Sequence, residues 1–150
     1  MTVDEIYNAL WVNETLLTSG QPTEDQLKAA SAEGFTAVIN LAPSNSRNAL
    51  ADEAGVVRSL DMAYIYIPVA WDNPQRGDFA AFEQAMSQLP AGKTLIHCAA
   101  NFRVTAFYSL YAQKHLGWSE EQANAFRAKI WHGSDQPIWE AFIANLKSTM

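Results

Sequence analysis

Short apolar, β-branched runs alternate with segments of helical periodicity along most of this chain. The runs are residues 14–18, 36–41, 63–69 and 94–96. Each is short enough to be a strand. The second, Thr-Ala-Val-Ile-Asn-Leu, is apolar on both faces, as a buried parallel strand requires. Between the runs lie helix signals. Thr23 and Gln26 form a capping box, so a helix is predicted from about Glu24, with Leu27 and Ala30 inward and Gly34 just past its end. Residues 48–60 place Leu50, Ala54 and Val57 on one stripe. Residues 79–89 do the same with Phe79, Phe82, Met86 and Leu89, and Asp78 stands where an N-cap is wanted. Residues 104–115 are apolar nearly all round, which predicts a helix inside the core. Ser119 with Gln122 opens another helix, carrying Ala123, Phe126 and Ile130. A last helix over 136–147 presents Ile138, Trp139, Phe142, Ile143 and Leu146 as a core stripe. Residues 1–13 offer only a short apolar patch of Ile6, Leu10 and Trp11. Alternation of this kind predicts a three-layer α/β/α fold around a mostly parallel sheet. A length of 150 residues predicts one domain over 1–150.

The chemistry concentrates where the fourth strand ends. Thr94, Leu95 and Ile96 lead into His97 and Cys98, the one cysteine of the chain. Ala99, Ala100, Asn101 and Phe102 follow, then Arg103 and the core helix. N–H groups at a helix start are unpaired and carry the positive end of the helix dipole. Such a turn binds anions and favours thiolate over thiol, which makes Cys98 a nucleophile. Arg103 adds a fixed charge with a planar fork of donors suited to phosphate oxygens. A second polar loop, 70–78, follows the third strand; it is expected to be exposed and mobile and carries Trp71 and Asp72. Asp72 is the first choice for a general acid and Asp78 the second. Arg47 lies in the loop 43–48, at the carboxyl end of the second strand, where ligands of open α/β sheets sit, and is a possible second anion contact.

At His97-Cys98, Arg103 and Thr105 the chain resembles the cysteine-dependent phosphatases of the protein tyrosine and dual-specificity superfamily. Their motif is His-Cys, five residues, Arg, then Ser or Thr. Only four residues separate Cys98 from Arg103 here. Either the loop is one residue shorter, or its length is kept with Thr105 in the hydroxyl's place, Val104 in the arginine's place and Asn101 in place of a glycine. Asparagine suits that last position because it tolerates positive φ. The resemblance implies a phosphatase-like fold and a phosphate-binding loop of His97, Ala99, Ala100, Asn101, Phe102 and Thr105. It also implies attack by Cys98 on phosphorus, Arg103 holding phosphoryl oxygens, Asp72 protonating the leaving oxygen, Thr105 helping the thiolate leave and His97 hydrogen-bonding around the loop. Ser19-Gly20-Gln21-Pro22-Thr23, Gly34-Phe35 and Val38-Ile39-Asn40-Leu41 are similar to the opening of a bacterial dual-specificity-like branch of unassigned function. Some members of that branch are joined to a β-lactamase-fold hydrolase of sulfur metabolism, and several share the four-residue spacing. The resemblance runs from about Ser19 to His115.

Composition narrows the partners. A net charge of −6 argues against nucleic acid. No apolar run approaches the ~20 residues that span a bilayer. The start, Met1-Thr2-Val3-Asp4-Glu5, lacks the marks of a secretion signal. A lone cysteine predicts no internal disulfide and a cytoplasmic location, with the periplasm open if a signal segment has been removed. Three widely spaced histidines predict no metal site, and no cofactor is expected. The partner expected is a phosphorylated substrate; its identity and the oligomeric state are not legible. Three activities compete: a phosphatase, a rhodanese-like sulfurtransferase carrying a persulfide on Cys98, and a phosphate-binding domain without turnover.

Overall fold

A computed structural model describes residues 2–150. Strands β1 (Leu10–Asn13) and β2 (Leu16–Ser19) form an antiparallel pair at one edge of the sheet. Helix α1 (Glu24–Ala32) leads to β3 (Phe35–Asn40), α2 (Glu53–Ser59) to β4 (Ala63–Tyr66), and α3 (Arg76–Ser87) to β5 (Lys93–His97). Three helices close the chain: α4 (Phe102–His115), α5 (Glu120–Trp131) and α6 (Pro137–Lys147). The five-stranded sheet has the order β1-β2-β5-β3-β4, and every pair except β1–β2 is parallel.

Strand residues alternate between two cores, as the period of two requires. Leu17, Val38 and Leu95 face one side, where α1, α2 and the turn Val3–Glu5 pack through Leu27, Ala30, Val57 and Val3. Leu16, Ile39 and Ile96 face the other, beneath α3, α4, α5 and α6. The architecture is the predicted α/β/α. Helix α4 buries Val104, Phe107 and Leu110 completely. Each such side chain contributes about 2 kcal/mol, so α4 is fixed firmly against the sheet. No helix among the described residues is long and apolar enough to cross a membrane.

Several boundaries differ from the predicted ones. Residues 10–13 form an edge strand, with Trp11 packed on Phe35 at 6.0 Å between ring centroids. Helix α2 starts at Glu53 rather than near Asn48, because Asn48 is left-handed (φ 63°) and Asp52 caps the helix through Gly55 N–H. Strand β4 ends at Tyr66, yet the N–H groups of Ile67 and Val69 still donate to Asn40 and Leu41. Pro68, which has no N–H, falls between them, on the side that makes no ladder bonds. Helix α3 begins at Arg76, so Asp78 is its third residue: its carboxylate accepts from Gln75 N–H at 3.0 Å, closing a capping box rather than serving as the N-cap. His132 closes α5 in a left-handed turn, and His115 pairs with Glu83 at 2.5 Å.

The chain leaves β3 and β5 toward opposite faces. From β3 it runs to α2 beneath the sheet, and from β5 to α4 above it. A crevice opens between two neighbouring parallel strands whose continuations diverge.

Candidate active site

Cys98 sits at that crevice, one residue past β5 and 1% exposed. Its N–H bonds to Ser19 O at 3.3 Å, which ties the start of the loop to the neighbouring strand β2. Three carbonyls of this stretch have partners outside the loop. That of Cys98 faces His97 Nδ1 at 3.2 Å. Ala99 O accepts from Gln21 N–H at 3.0 Å, and Ala100 O from Asn8 Nδ2 at 3.0 Å. These carbonyls are engaged, whereas the N–H groups of Ala99, Ala100, Phe102, Arg103 and Val104 have no acceptor among the described residues. Unpaired amides at a helix start carry the positive end of the helix dipole, a chemistry that suits an anion.

Asn101 shapes the turn. It adopts φ 70°, the left-handed conformation anticipated for it, and is fully buried. Its Nδ2 donates to Asn8 O at 2.9 Å and Thr18 Oγ1 at 3.0 Å, so the side chain anchors the loop and leaves the first turn of α4 uncapped. Gly20 lies under the loop. A Cβ there would stand 2.7 Å from Ala99 O, which explains why the chain has no side chain at that point.

Arg103 is buried, donates from Nη1 to Val69 O at 2.8 Å and lies 6.0 Å from the Trp71 ring. It lines the same cavity as Cys98. That cavity, of about 520 Å³, is lined by Arg47, Trp71, Cys98, Ala99, Ala100, Phe102 and Arg103. The crevice thus gathers the loops that follow β3, β4 and β5. Arg47, a loop residue far from Cys98 in sequence, faces the same space.

Three expectations are revised in detail. Asp72 is exposed, and its carboxylate is not among the groups lining the cavity; only its neighbour Trp71 is. The loop 70–75 is braced rather than loose. Trp139 Nε1 donates to Trp71 O at 2.7 Å, and Arg76 reaches Asn145 O at 2.8 Å, both on α6. Thr105 Oγ1 donates to Asn101 O at 2.9 Å and accepts from Trp131 Nε1 at 3.0 Å, so it secures the first turn of α4 instead of meeting the thiol. The aromatic rings of Trp71, Phe102, Trp131 and Trp139 pack together, Trp71 on Trp131 stacked and Trp71 on Phe102 edge-on, with Phe102 and Trp131 4.8 Å apart.

One residue of the site was absent from the sequence reading. Glu53, in the first turn of α2, is buried beneath the loop. Its Oε2 lies 2.6 Å from His97 Nε2, and its Oε1 accepts from Gln21 Nε2 at 2.8 Å. Burial pushes its carboxyl up, yet the hydrogen bond and charge of His97, with Gln21 and Tyr64, hold it below the ordinary value of 4.5. Tyr64 is itself pushed up to about 12, by burial before the nearby carboxylate, so its hydroxyl keeps its proton. A signal for Glu53 existed. It falls on the inward stripe of its helix, four residues before Val57, where an acid needs a buried partner. No group of three His, Cys, Asp or Glu able to hold a metal occurs among the described residues.

No family model matches the chain. A beta-lactamase hydrolase-like protein of Xylella fastidiosa is 30% identical over 102 residues, covering 66% of this chain and 23% of that protein. The chain therefore spans about a quarter of the length of the curated relatives it matches. Tk-PTP, at 16% identity and a TM-score of 0.78 over 95% of both chains, shares the fold. A DUF442 protein of Shewanella putrefaciens CN-32, itself a candidate phosphatase, is 33% identical over 98% of this chain and 93% of its own, with a TM-score of 0.89. At that identity and coverage the likeness extends beyond the fold that Tk-PTP also has, and the chain belongs to the DUF442 family.

Proposed function

We propose that this protein hydrolyses a phosphomonoester through a cysteinyl-phosphate intermediate. One observation supports the reading: Cys98 lines one cavity together with Arg103 and with loop residues whose amides have no acceptor among the described residues. Phosphoryl transfer asks mainly for positioning and for donors on the equatorial oxygens. The open amides and the Arg103 donors not engaged with Val69 supply them. Cys98 Sγ attacks phosphorus as the bond to the leaving oxygen breaks, and that oxygen takes a proton from Asp72. Water then attacks phosphorus, the S–P bond breaks, and Asp72 takes the water's proton, restoring thiolate and acid. Asp72 is chosen because it adjoins Trp71 of the cavity wall and its exposed carboxylate makes no hydrogen bond among the described residues. Glu53 is held by His97, and Asp78 by the cap of α3. The test is Cys98→Ser on a small aryl phosphate, with mass spectrometry of the acid-quenched protein. Loss of turnover, and a phosphoryl adduct on the unmodified protein alone, is expected. Unchanged hydrolysis in the serine variant sinks the mechanism.

The four-residue span from Cys98 to Arg103 favours a second reading, a persulfide carrier. There Cys98 attacks the sulfane sulfur of thiosulfate, the S–S bond breaks, and sulfite leaves on Arg103. One added sulfur on Cys98 after exposure to thiosulfate is its signature. Its absence, with turnover of the aryl phosphate, decides for the phosphatase.

A further inference from the structure

Recognition extends past the thiol. The cavity over Cys98 shares Arg47, Ala99 and Ala100 with an adjoining cavity of about 330 Å³, whose other walls are Tyr7 and Asn48. Among the described residues, no Asp or Glu lines either one. The chain carries 16 acidic side chains against 10 Lys and Arg, so an acid-free mouth holding two arginines is a separation of charge. The cavity of about 410 Å³ between α5 and α6 shows the contrast: Glu120 and Glu140 line it together with Arg127 and Lys147. Positive charge left without a counter-charge at a cavity attracts an anion from solution.

Arg47 itself has no hydrogen bond or ion pair among the described residues, but its backbone is held. Ser46 N–H donates to Pro43 O at 2.9 Å and Ala49 N–H to Ser46 O at 3.1 Å, so Arg47 lies within the second of two consecutive turns. Ser44 N–H donates to Tyr66 Oη at 2.7 Å, which fastens the loop to β4. A free guanidinium on a fastened loop loses less entropy on binding than one on a slack loop. Ala99 and Ala100, which follow Cys98 in the chain, line both cavities. Arg47 likewise lines both cavities, so its guanidinium joins the two compartments.

Resting on the phosphatase reading above, we propose that the substrate is a small phosphomonoester carrying a second anionic group. The reacting phosphate lies on the Cys98 loop. The second group lies against Arg47, in the compartment bounded by Tyr7 and Asn48.

The test is calorimetric titration of the unmodified protein with methylphosphonate and with a series of bisphosphonates of increasing methylene spacer, none of which is hydrolysed. At one spacer length the bisphosphonate should bind about tenfold tighter than methylphosphonate, above the roughly twofold advantage of having two ends. Arg47→Ala should bring that ratio down to the twofold level. If no spacer exceeds it, or if Arg47→Ala leaves the ratio unchanged, the second subsite is refuted while the phosphatase reading stands. If a doubly phosphorylated peptide binds tighter than every bisphosphonate, the small-molecule assignment is wrong. If neither phosphonate binds, the cysteine loop is no anion site and both readings fall together.

Discussion

His97 Nε2 lies 2.6 Å from Glu53 Oε2, and the other ring nitrogen of His97 faces the Cys98 carbonyl at 3.2 Å. A buried carboxylate on α2 thereby fixes the orientation of the ring that holds the start of the cysteine loop. Removing one member of a buried pair leaves its partner uncompensated, so Glu53→Ala should cost about 3 kcal/mol. Glu53→Gln keeps a hydrogen-bonding group and should cost about 1 kcal/mol. Denaturant midpoints at neutral pH give both values. Equal, negligible losses would mean that the pair does not support the loop.

The same carboxylate predicts an acid limb in stability. Burial raises Glu53, and His97, Gln21 and Tyr64 more than offset it, so its folded pKa lies below the ordinary 4.5. Its stabilisation is therefore fully present above pH 4.5 and is lost as pH falls through the folded value. Glu83 has the same sign, burial being outweighed by Lys114 and His115, but it lies near the surface and contributes less. The thermal midpoint should fall below pH 4.5, and Glu53→Gln should flatten that fall. Superimposable acid limbs for the two proteins would assign the effect to other groups.

Asp72 should matter only when the leaving oxygen needs a proton. Asp72→Asn is expected to lower kcat on phenyl phosphate by about 10²-fold. On p-nitrophenyl phosphate, whose leaving group is stable as an anion, the loss should be far smaller. A uniform loss on both esters points to a structural effect, and no loss on either removes Asp72 from the mechanism.

Gly20 supports the loop by having no side chain. The Cβ of Gly20→Ala would meet Ala99 O at 2.7 Å and Tyr7 Cδ2 at 2.8 Å. Overpacking of that kind costs about 1–3 kcal/mol. It should also push Ala99 toward the cavity and weaken protection of Cys98 from iodoacetate by phosphate. Wild-type stability together with wild-type protection would show that the loop yields freely.

Trp131 and Trp139 should act on the site without touching the thiol. Trp139→Phe removes the donor to Trp71 O at 2.7 Å and should cost about 1 kcal/mol. Freed of that tie, the loop carrying Asp72 should show faster amide hydrogen exchange at residues 70–73. Unchanged exchange there would mean that stacking alone holds Trp71.

Local chemistry made much of this protein readable from its residues alone. Period-two alternation in β2, β3 and β5 assigns Leu16 and Leu17, Val38 and Ile39, and Leu95 and Ile96 to opposite faces, and that implies a covered sheet. Capping boxes at Thr23 and Ser119 mark helix starts that the structure has. Cys98, Asn101 and Arg103 are near neighbours in the chain, so their turn, with its left-handed asparagine, is a local feature. Other features were not local. The strand at 10–13 depends on an edge pairing with β2, and short segments of that kind carry little pattern of their own. Whether Asp78 caps α3 or sits two residues inside it depends on where the braced loop before it ends.

The sequence by itself determined the α/β/α layering and a thiol at a strand-to-helix turn, because both follow from spacing along the chain. Only the tertiary structure decided which groups surround that thiol. Arg47, Glu53 and Trp71 come from separate loops or helices, and Trp131 and Trp139 from helices after the site. They meet because parallel strands deliver their carboxyl ends to one crevice and two buried cores hold them there. Thr105 makes the same point from the other side. Its position in the chain suggested a hydroxyl for the thiolate, and packing against Trp131 turned that hydroxyl to the backbone of the loop instead.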